Sequence, residues 1–373
     1  MDDACALRPA LDLPASSPDQ AIARAAEALR ARQRPDGHWV FELEADATIP
    51  AEYILLKSYL GEPANAELEG KIGAYLRRVQ GAHGGWPLYH GGALDVSATV
   101  KAYFALKTIG DAPDAPHMAA AREALLARGG AGACNVFTRI MLALFGVIAW
   151  RAVPKIPVEI VHLPRWFPIH LSKISYWART VIVPLLVLAA LRPRARNPRG
   201  VTIDELFLAP PAALRGLPRG AHQKEPWASL FFALYAALQV AEPYLPKASR
   251  RSAIAKAQAF VDERLNGEDG LGAIFPAMAN ALMMYDALGY GEDHPSRATA
   301  RASIDKLLVV GDHEAYCQPC LSPVWDTALA THALLEAAEP AGEAAAARAL
   351  AWLKPLQVLD VAGEWAEQRP GAR

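Results

Sequence analysis

Apolar residues recur along this chain at helical rather than strand spacing. Ile22, Ala25, Ala26 and Leu29 share one helix face before the turn Gln33-Arg34-Pro35-Asp36-Gly37-His38-Trp39. Ile72, Tyr75, Leu76 and Val79 do the same before Gln80-Gly81-Ala82-His83-Gly84-Gly85-Trp86. Helical patterns resume after each turn, at 51–60 and at 97–109. Both turns begin with Gln, contain Gly and end in Trp at the same spacing, so the repeated unit is helix, turn, helix. Glycine supplies the backbone freedom that ends the first helix, and Trp covers the joint. Degraded copies occur at 267–272 and at 357–365, the latter with Gly363 in the turn. Helical hairpins repeated in this way stack into a solenoid or close into a ring.

Strand signals are weak. Short runs such as 158–161 are flanked by prolines, and no sustained period-two alternation is bounded by hairpin turns, which predicts a nearly all-α fold. Pro154, Pro157, Pro164 and Pro168 prevent a continuous helix and predict an extended, rigid loop carrying Trp166 and Phe167. A second break around 192–219, with Arg192, Arg194, Arg196 and Arg199 close together, reads as an exposed connection. Beyond it, Trp227, Leu230, Phe231, Leu234, Tyr235 and Leu238 predict a helix with a wide apolar face.

Composition narrows the class. The 373 residues are 53% hydrophobic and 21% charged with a formal net charge of -1, which suits a globular protein with a large core and argues against disorder or a nucleic-acid partner. Cys5, Cys134, Cys317 and Cys320 are too few and too scattered for a disulfide framework, as expected of a reducing compartment. The first twenty residues carry Asp2 and Asp3 and no apolar run, unlike a signal peptide. The longest apolar run, 181–191, contains Pro184 and is about half the length a helix needs to cross a bilayer.

Four segments carry a resemblance. The Gln-Trp turns, Asn135-Val136-Phe137-Thr138-Arg139, Ser175-Tyr176-Trp177-Ala178-Arg179 and Ser322-Pro323-Val324-Trp325-Asp326-Thr327 look like successive landmarks of the bacterial squalene-hopene cyclases. The last is the most specific, and the resemblance runs from about Ser16 to the end. It implies an αα-barrel of helical hairpins over 43–320 with a membrane-facing insert. It also implies an incomplete second barrel, begun by 16–42 and resumed at 321–373, behind a disordered stretch at 1–15. The implied activity is proton-initiated cyclisation of squalene to hopene or hopanol. The family's acid is an Asp-x-Asp-Asp cluster, and none occurs in these residues. The expectation is therefore an N-terminal part of the enzyme, inactive alone. The competing class is a non-catalytic αα-barrel module binding an apolar ligand or a membrane.

Alkene protonation needs a strong acid in a dry site, and the cations that follow need stabilisation without a quenching nucleophile. Aromatic faces supply that stabilisation. By resemblance, Trp177 and Trp325 turn towards the cavity, and Glu52 helps hold water where the final proton leaves. Ile274, Phe275 and Pro276 align with the same region, Phe275 replacing a family glutamine that orients the terminal water. Ile174 and Ile182 align with the entrance channel. Each apolar residue also reads as ordinary core, and Glu52 as a favourable charge near a helix N-terminus.

Trp166, Phe167 and the 227–238 helix would form an apolar plateau set in one membrane leaflet, with nearby arginines meeting anionic headgroups. The resemblance implies the cytoplasmic side of the bacterial inner membrane. Expected partners are squalene, membrane lipid and, as an option, a second copy forming a homodimer. No cofactor or metal is expected, since Cys317-Gln318-Pro319-Cys320 has no second pair. Asp326, followed by Thr327 and a helix, reads as a capping or network residue rather than the acid.

Overall fold

The computed structural model describes residues 17–167, 170–216, 229, 246–265 and 267–359, and is mostly helical. In chain order its helices are α1 (Pro18–Ala31), α2 (Thr48–Leu60), α3 (Ala66–Arg78), α4 (Val96–Ile109), α5 (Pro116–Leu126) and α6 (Val136–Leu144). They continue with α7 (Tyr176–Leu191), α8 (Lys247–Asp262), α9 (Phe275–Ala287), α10 (Pro295–Asp305), α11 (Pro323–Glu336) and α12 (Pro340–Leu353). A short antiparallel pair, β1 (Leu308–Val310) and β2 (Ala315–Cys317), lies between α10 and α11. The chain divides into two compact units, Met1–Glu42 with Leu321–Arg373, and Leu43–Cys320.

In the smaller unit, α1 packs on α11 and α12 around Ala26, Trp39, Ala330, Leu334, Ala345 and Ala349. Ser17 and Gln20 form a reciprocal capping box that starts α1. The first turn of α11 pins the segment that follows the Gln33 turn. Asp326 Oδ2 accepts from the Phe41 amide at 2.9 Å, and Thr327 Oγ1 accepts from the Trp39 amide at 2.9 Å. Asp326 therefore has a network role in this unit.

The larger unit sorts its helices by burial. Helices α2, α4 and α9 are apolar on nearly every side, as Tyr53, Ile54 and Leu55, Ala102, Tyr103 and Phe104, and Met278, Ala281 and Leu282 show, so they pack inside. Helices α3, α8 and α10 bury one stripe each, such as Ala253, Ala257 and Val261 of α8, and form an outer layer. Contacts run from α4 to α2, from α2 to α9, and from α9 to α7.

The two Gln-Trp turns share one set of hydrogen bonds. Gln33 Nε2 donates to the carbonyls of Gly37 and Ala345, each at 2.8 Å, and Gln80 Nε2 donates to those of Gly84 and His117, the latter at 2.9 Å. Trp39 Nε1 donates to Leu29 O and Trp86 Nε1 to Leu76 O, both at 2.8 Å. Each Trp amide bonds a threonine hydroxyl, that of Thr327 or Thr99. The glycines are required: at Gly37 and Gly84 φ is +103° and +87°, and a Cβ would lie 2.7 and 2.8 Å from the carbonyl oxygens of Arg348 and Ala120. At 267–272 the Gly270 amide bonds the Gly267 carbonyl at 3.2 Å, as Gly37 bonds Arg34 and Gly84 bonds Gly81, but the Trp position is held by Gly272.

Two local readings need correction and a third gains detail. The β1–β2 pair was not expected, because three-residue strands are too short to show alternation; Gly311 N to Glu314 O, at 2.8 Å, closes their turn. The proline-rich loop is not simply extended, since Val158–His162 forms a 3₁₀ turn packed on α8. The arginine-rich break is exposed at Arg192, Arg194, Arg196 and Arg199, as expected, but it is anchored at several points. The Ala195, Arg196 and Asn197 amides bond the Leu144, Tyr59 and Ser58 carbonyls, Arg196 makes two bonds to Asp286, and Ile203 and Leu206 are buried. Polar sequence hid this because the anchors are backbone amides and the pairing of Arg196 and Arg199 with carboxylates on other helices. The expected N-terminal stretch 1–15, the 227–238 helix apart from Ser229, and Gly363 with Trp365 lie outside the described residues.

Candidate functional site

A cavity of about 320 Å³ lies between α2, α4, α6, α7 and α9 of the larger unit. One face of α2 supplies Thr48, Ile49, Glu52, Leu55, Leu56 and Tyr59, at the spacing that keeps residues on one side of a helix. Phe137, Ile140, Met141 and Leu144 come from α6, Val181 and Leu185 from α7, and Phe275, Pro276, Ala279, Asn280 and Met283 from α9. Phe145 also lines the space, edge-on to Phe104 with ring centroids 4.9 Å apart.

Charge in this wall is confined to one pair among the described residues. Lys101 Nζ, on α4, sits 2.6 Å from Glu52 Oε1, with the lysine side chain 9% exposed and the glutamate 25% exposed. A lone buried ammonium would be strongly disfavoured, and the carboxylate compensates it. The polar neighbours Asn135 and Asn280 already have structural work. Asn135 Oδ1 caps α6 by accepting from the Thr138 amide at 3.0 Å, and Asn280 Nδ2 donates to Val181 O at 3.3 Å, tying α9 to α7. Burial pushes the Cys134 thiol up to about 11 against the pull of Arg139 and Lys101, so it remains neutral at physiological pH.

The sequence-selected residues are distributed as follows. Glu52, Phe275 and Pro276 come together in the cavity wall. Ile274 caps α9 beside them, its backbone bridged to Cys320, and Ile182 sits next to the lining residue Val181. Neither lines the space. Trp177, 54% exposed, stands in the first turn of α7 against Tyr176, and Ile174 is exposed just before that helix. Trp325, 72% exposed, belongs to the smaller unit, where it projects from α11. Sequence reasoning missed Lys101, Tyr59, Phe137 and Phe145. Lys101 had a readable signal, a single charge within the apolar stretch Val100-Lys101-Ala102-Tyr103-Phe104.

A wider cleft of about 980 Å³ borders α2, α3 and α10, but it is charged. Glu62, Arg301 and Asp305 pair across its wall at 3.1 and 3.3 Å. Burial pushes the Cys317 thiol up, and no group of three or more His, Cys, Asp or Glu among the described residues could hold a metal.

A helical unit built around an apolar cavity, with its charge limited to one compensated pair, suits an apolar guest better than a polar one. Comparison with known proteins gives the family. Residues 22–313 match the squalene-hopene cyclase N-terminal domain and residues 321–373 the squalene-hopene cyclase C-terminal domain, and the chain belongs to this family. The squalene–hopene cyclase of Bradyrhizobium diazoefficiens is 61% identical over 355 residues, 95% of this chain and 54% of that protein. The Zymomonas mobilis squalene–hopene cyclase is 60% identical over 359 residues, covering 94% of this chain and 54% of the relative. The Alicyclobacillus acidocaldarius one is 33% identical over 351 residues, again 94% and 54%. The chain thus spans about half the length of the curated relatives it matches.

Proposed function

We propose that this chain forms part of a squalene-hopene cyclase, with the cavity of the larger unit receiving one end of the folded polyene. The observation that carries this reading is the cavity itself, apolar and aromatic over most of its wall, in a chain 61% identical to a squalene–hopene cyclase. In this reading the larger unit is an αα-barrel with Gln-Trp repeats. The segments 16–42 and 321–373 belong to a second αα-barrel.

Cyclisation passes positive charge along the hydrocarbon, and Tyr59, Phe137, Phe145 and Phe275 offer ring faces or edges to the end that enters this cavity. Each face over a cation contributes about 0.5–2 kcal/mol. Trp177 and Trp325 serve other stretches of the path, and Ile174 and Ile182 the entrance. Glu52 is the one carboxylate in the described wall, suited to hold the water that takes the last proton. Phe275 in place of an amide removes one hydrogen-bonding partner for that water and favours olefin over alcohol. The initiating acid is assigned outside residues 1–373, which contain no Asp-x-Asp-Asp.

Membrane contact in one leaflet is part of the same proposal. Trp166 is 78% exposed with Phe167 edge-on beside it at 5.8 Å, and apolar side chains displayed together favour a lipid surface. The cytoplasmic face of a bacterial inner membrane suits that role, with self-association into a homodimer to be read from sedimentation in detergent. No helix among the described residues is long and apolar enough to cross a membrane.

The test is direct. Squalene incubated with residues 1–373 alone yields no hopene or hopanol by gas chromatography, whereas the same residues fused to the remaining sequence of the Bradyrhizobium relative yield both or either. Turnover by residues 1–373 alone would place the acid within them and overturn the assignment.

A further inference from the structure

Helix α2 has a second working face. Tyr53, Lys57 and Leu60 are spaced to share one side of the helix, and none of them lines the apolar cavity; they border the charged cleft of about 980 Å³ against α3 and α10. Lys57 also lines a smaller cleft of about 270 Å³, with Ser58, Glu69 and Arg199. The larger wall sets Lys57, Arg297 and Arg301 against Glu62, Glu292 and Asp305, so its formal charges balance. Its hydrogen bonds do not. Lys57 is only 8% exposed, pairs with Glu69 Oε1 at 3.6 Å, beyond hydrogen-bond reach, and no described group hydrogen-bonds its ammonium. Glu69 is engaged elsewhere, Oε1 by the Asn65 amide at 3.1 Å and Oε2 by Arg199 Nη2 at 2.9 Å. Ser58 Oγ and Arg301 Nη1 are buried without a partner as well. Donors of Lys57, Ser58 and Arg301 thus lack acceptors, whereas no buried carboxylate oxygen among the described residues lining either cleft lacks a donor.

From this imbalance we propose that Lys57 floors a binding site for a small phosphate-type oxyanion, either a monoester or the free ion. The dianion of a phosphate monoester carries only acceptors and spreads them in several directions, so it can meet Lys57 while facing Ser58 in the smaller cleft and Arg301 in the larger. A carboxylate guest offers two oxygens in one plane, and a hydroxyl brings a donor of its own where donors are already in surplus. Glu62 restrains the affinity. It pairs with Arg301 Nη2 at 3.1 Å and feels the Lys57 charge, so an entering anion competes with it. The site lies on a different face of α2 from the hydrocarbon cavity and is independent of the cyclase reading.

Isothermal titration calorimetry of residues 1–373 tests the site, with inorganic phosphate, glycerol 3-phosphate, acetate and dihexanoyl phosphatidylglycerol below its aggregation concentration, all at one ionic strength in chloride. The expected result is one saturable site that holds inorganic phosphate or glycerol 3-phosphate at least about tenfold more tightly than acetate. Binding of the short-chain lipid more tightly than either soluble phosphate supports the same site with a lipid headgroup as its source. Lys57→Met should weaken phosphate at least about tenfold, the loss of one sheltered charge-assisted hydrogen bond. Lys71→Met, on α3 and lining neither cleft, should leave it unchanged. Glu62→Gln removes the competing carboxylate and should tighten phosphate about threefold or more; it decides the matter by itself if Lys57→Met gives no cooperative melting curve. The proposal is overturned if no phosphate binds more tightly than acetate, if Lys57→Met binds as well as the wild type or loses no more than Lys71→Met, or if Glu62→Gln leaves the affinity unchanged or lower. None of these results bears on the hydrocarbon cavity.

Discussion

Replacing Gln80 by Ala isolates the interaction that joins the first turn of the larger unit to the next outer helix. The lost amide donates to the carbonyls of Gly84 and His117, and nothing in an alanine replaces it. Each hydrogen bond contributes about 0.5–1.5 kcal/mol net, and a buried carbonyl left unpaired costs about 1–3 kcal/mol. The site is only partly buried, so water recovers some of that, and a total of about 2 kcal/mol follows. At about 2–4 °C per kcal/mol for a unit of this size, the melting transition falls by about 4–8 °C. Gln33→Ala breaks the matching pair, to Gly37 and Ala345, and should lower the transition of the smaller unit by a similar amount. Gly84→Ala adds a clash with Ala120 O at 2.8 Å and a strained positive φ, and should cost at least as much as the glutamine. Far-ultraviolet circular dichroism melts of the three variants decide the matter. A fall of less than about 1 °C for Gln80→Ala would mean that Trp86 packing alone holds the joint, and the reasoning from the amide would be refuted.

Exposure separates the tryptophans. Trp325→Ala and Trp177→Ala should change stability by no more than about 0.5 kcal/mol, whereas Trp39→Ala, which removes a fully buried indole and its bond to Leu29 O, should cost about 3–5 kcal/mol; urea unfolding measures all three, and a large loss at Trp325 would make it a packing residue. Acid stability gives a further prediction. Burial opposes ionisation of Asp111, but hydrogen bonds from Arg77 and His117 outweigh it and hold the carboxyl below its ordinary value, and Lys107 does the same for Glu205 against its burial. A depressed carboxyl contributes stability above its unfolded pKa, near 4, and loses it as pH falls through the folded value. The larger unit should therefore weaken below about pH 4–5, and Asp111→Asn should be less stable at neutral pH yet show a shallower acid slope; an unchanged slope would contradict the pairing.

The parts legible in the sequence were those where one residue type has one physical use. Gln33, Gly37 and Trp39, and their counterparts Gln80, Gly84 and Trp86, marked the turns because an amide, a positive φ and an indole at fixed spacing serve the same joint twice. Helices α2 and α4 were likewise readable. Helix α7 shows why the cavity was not. It is apolar almost throughout, so its pattern carries no phase, and which side faces inward, that of Val181 and Leu185, is set by packing on α8 and α9. Glu52 attracted notice as a carboxylate in an apolar setting, and Lys101 on the neighbouring helix has the same signature. Their pairing depends on α2 meeting α4, which is tertiary information. The arginine-rich segment was legible as exposed, but its anchoring was not, since the partners of Arg196 and Arg199, Asp286 and Glu69, lie on other helices.

The central claim is that the cavity of the larger unit receives one end of squalene, and equilibrium retention of radiolabelled squalene by residues 1–373 tests it most directly. Ala279 is nearly buried on α9 and lines the space, so Ala279→Phe fills it from one wall while Trp86 and the turn glycines are untouched. The account predicts saturable retention by the wild-type chain and a loss of at least about tenfold in Ala279→Phe, with the variant still giving a helical melting curve. Equal retention by the two proteins would contradict it, because the hydrocarbon would then be held somewhere other than this cavity.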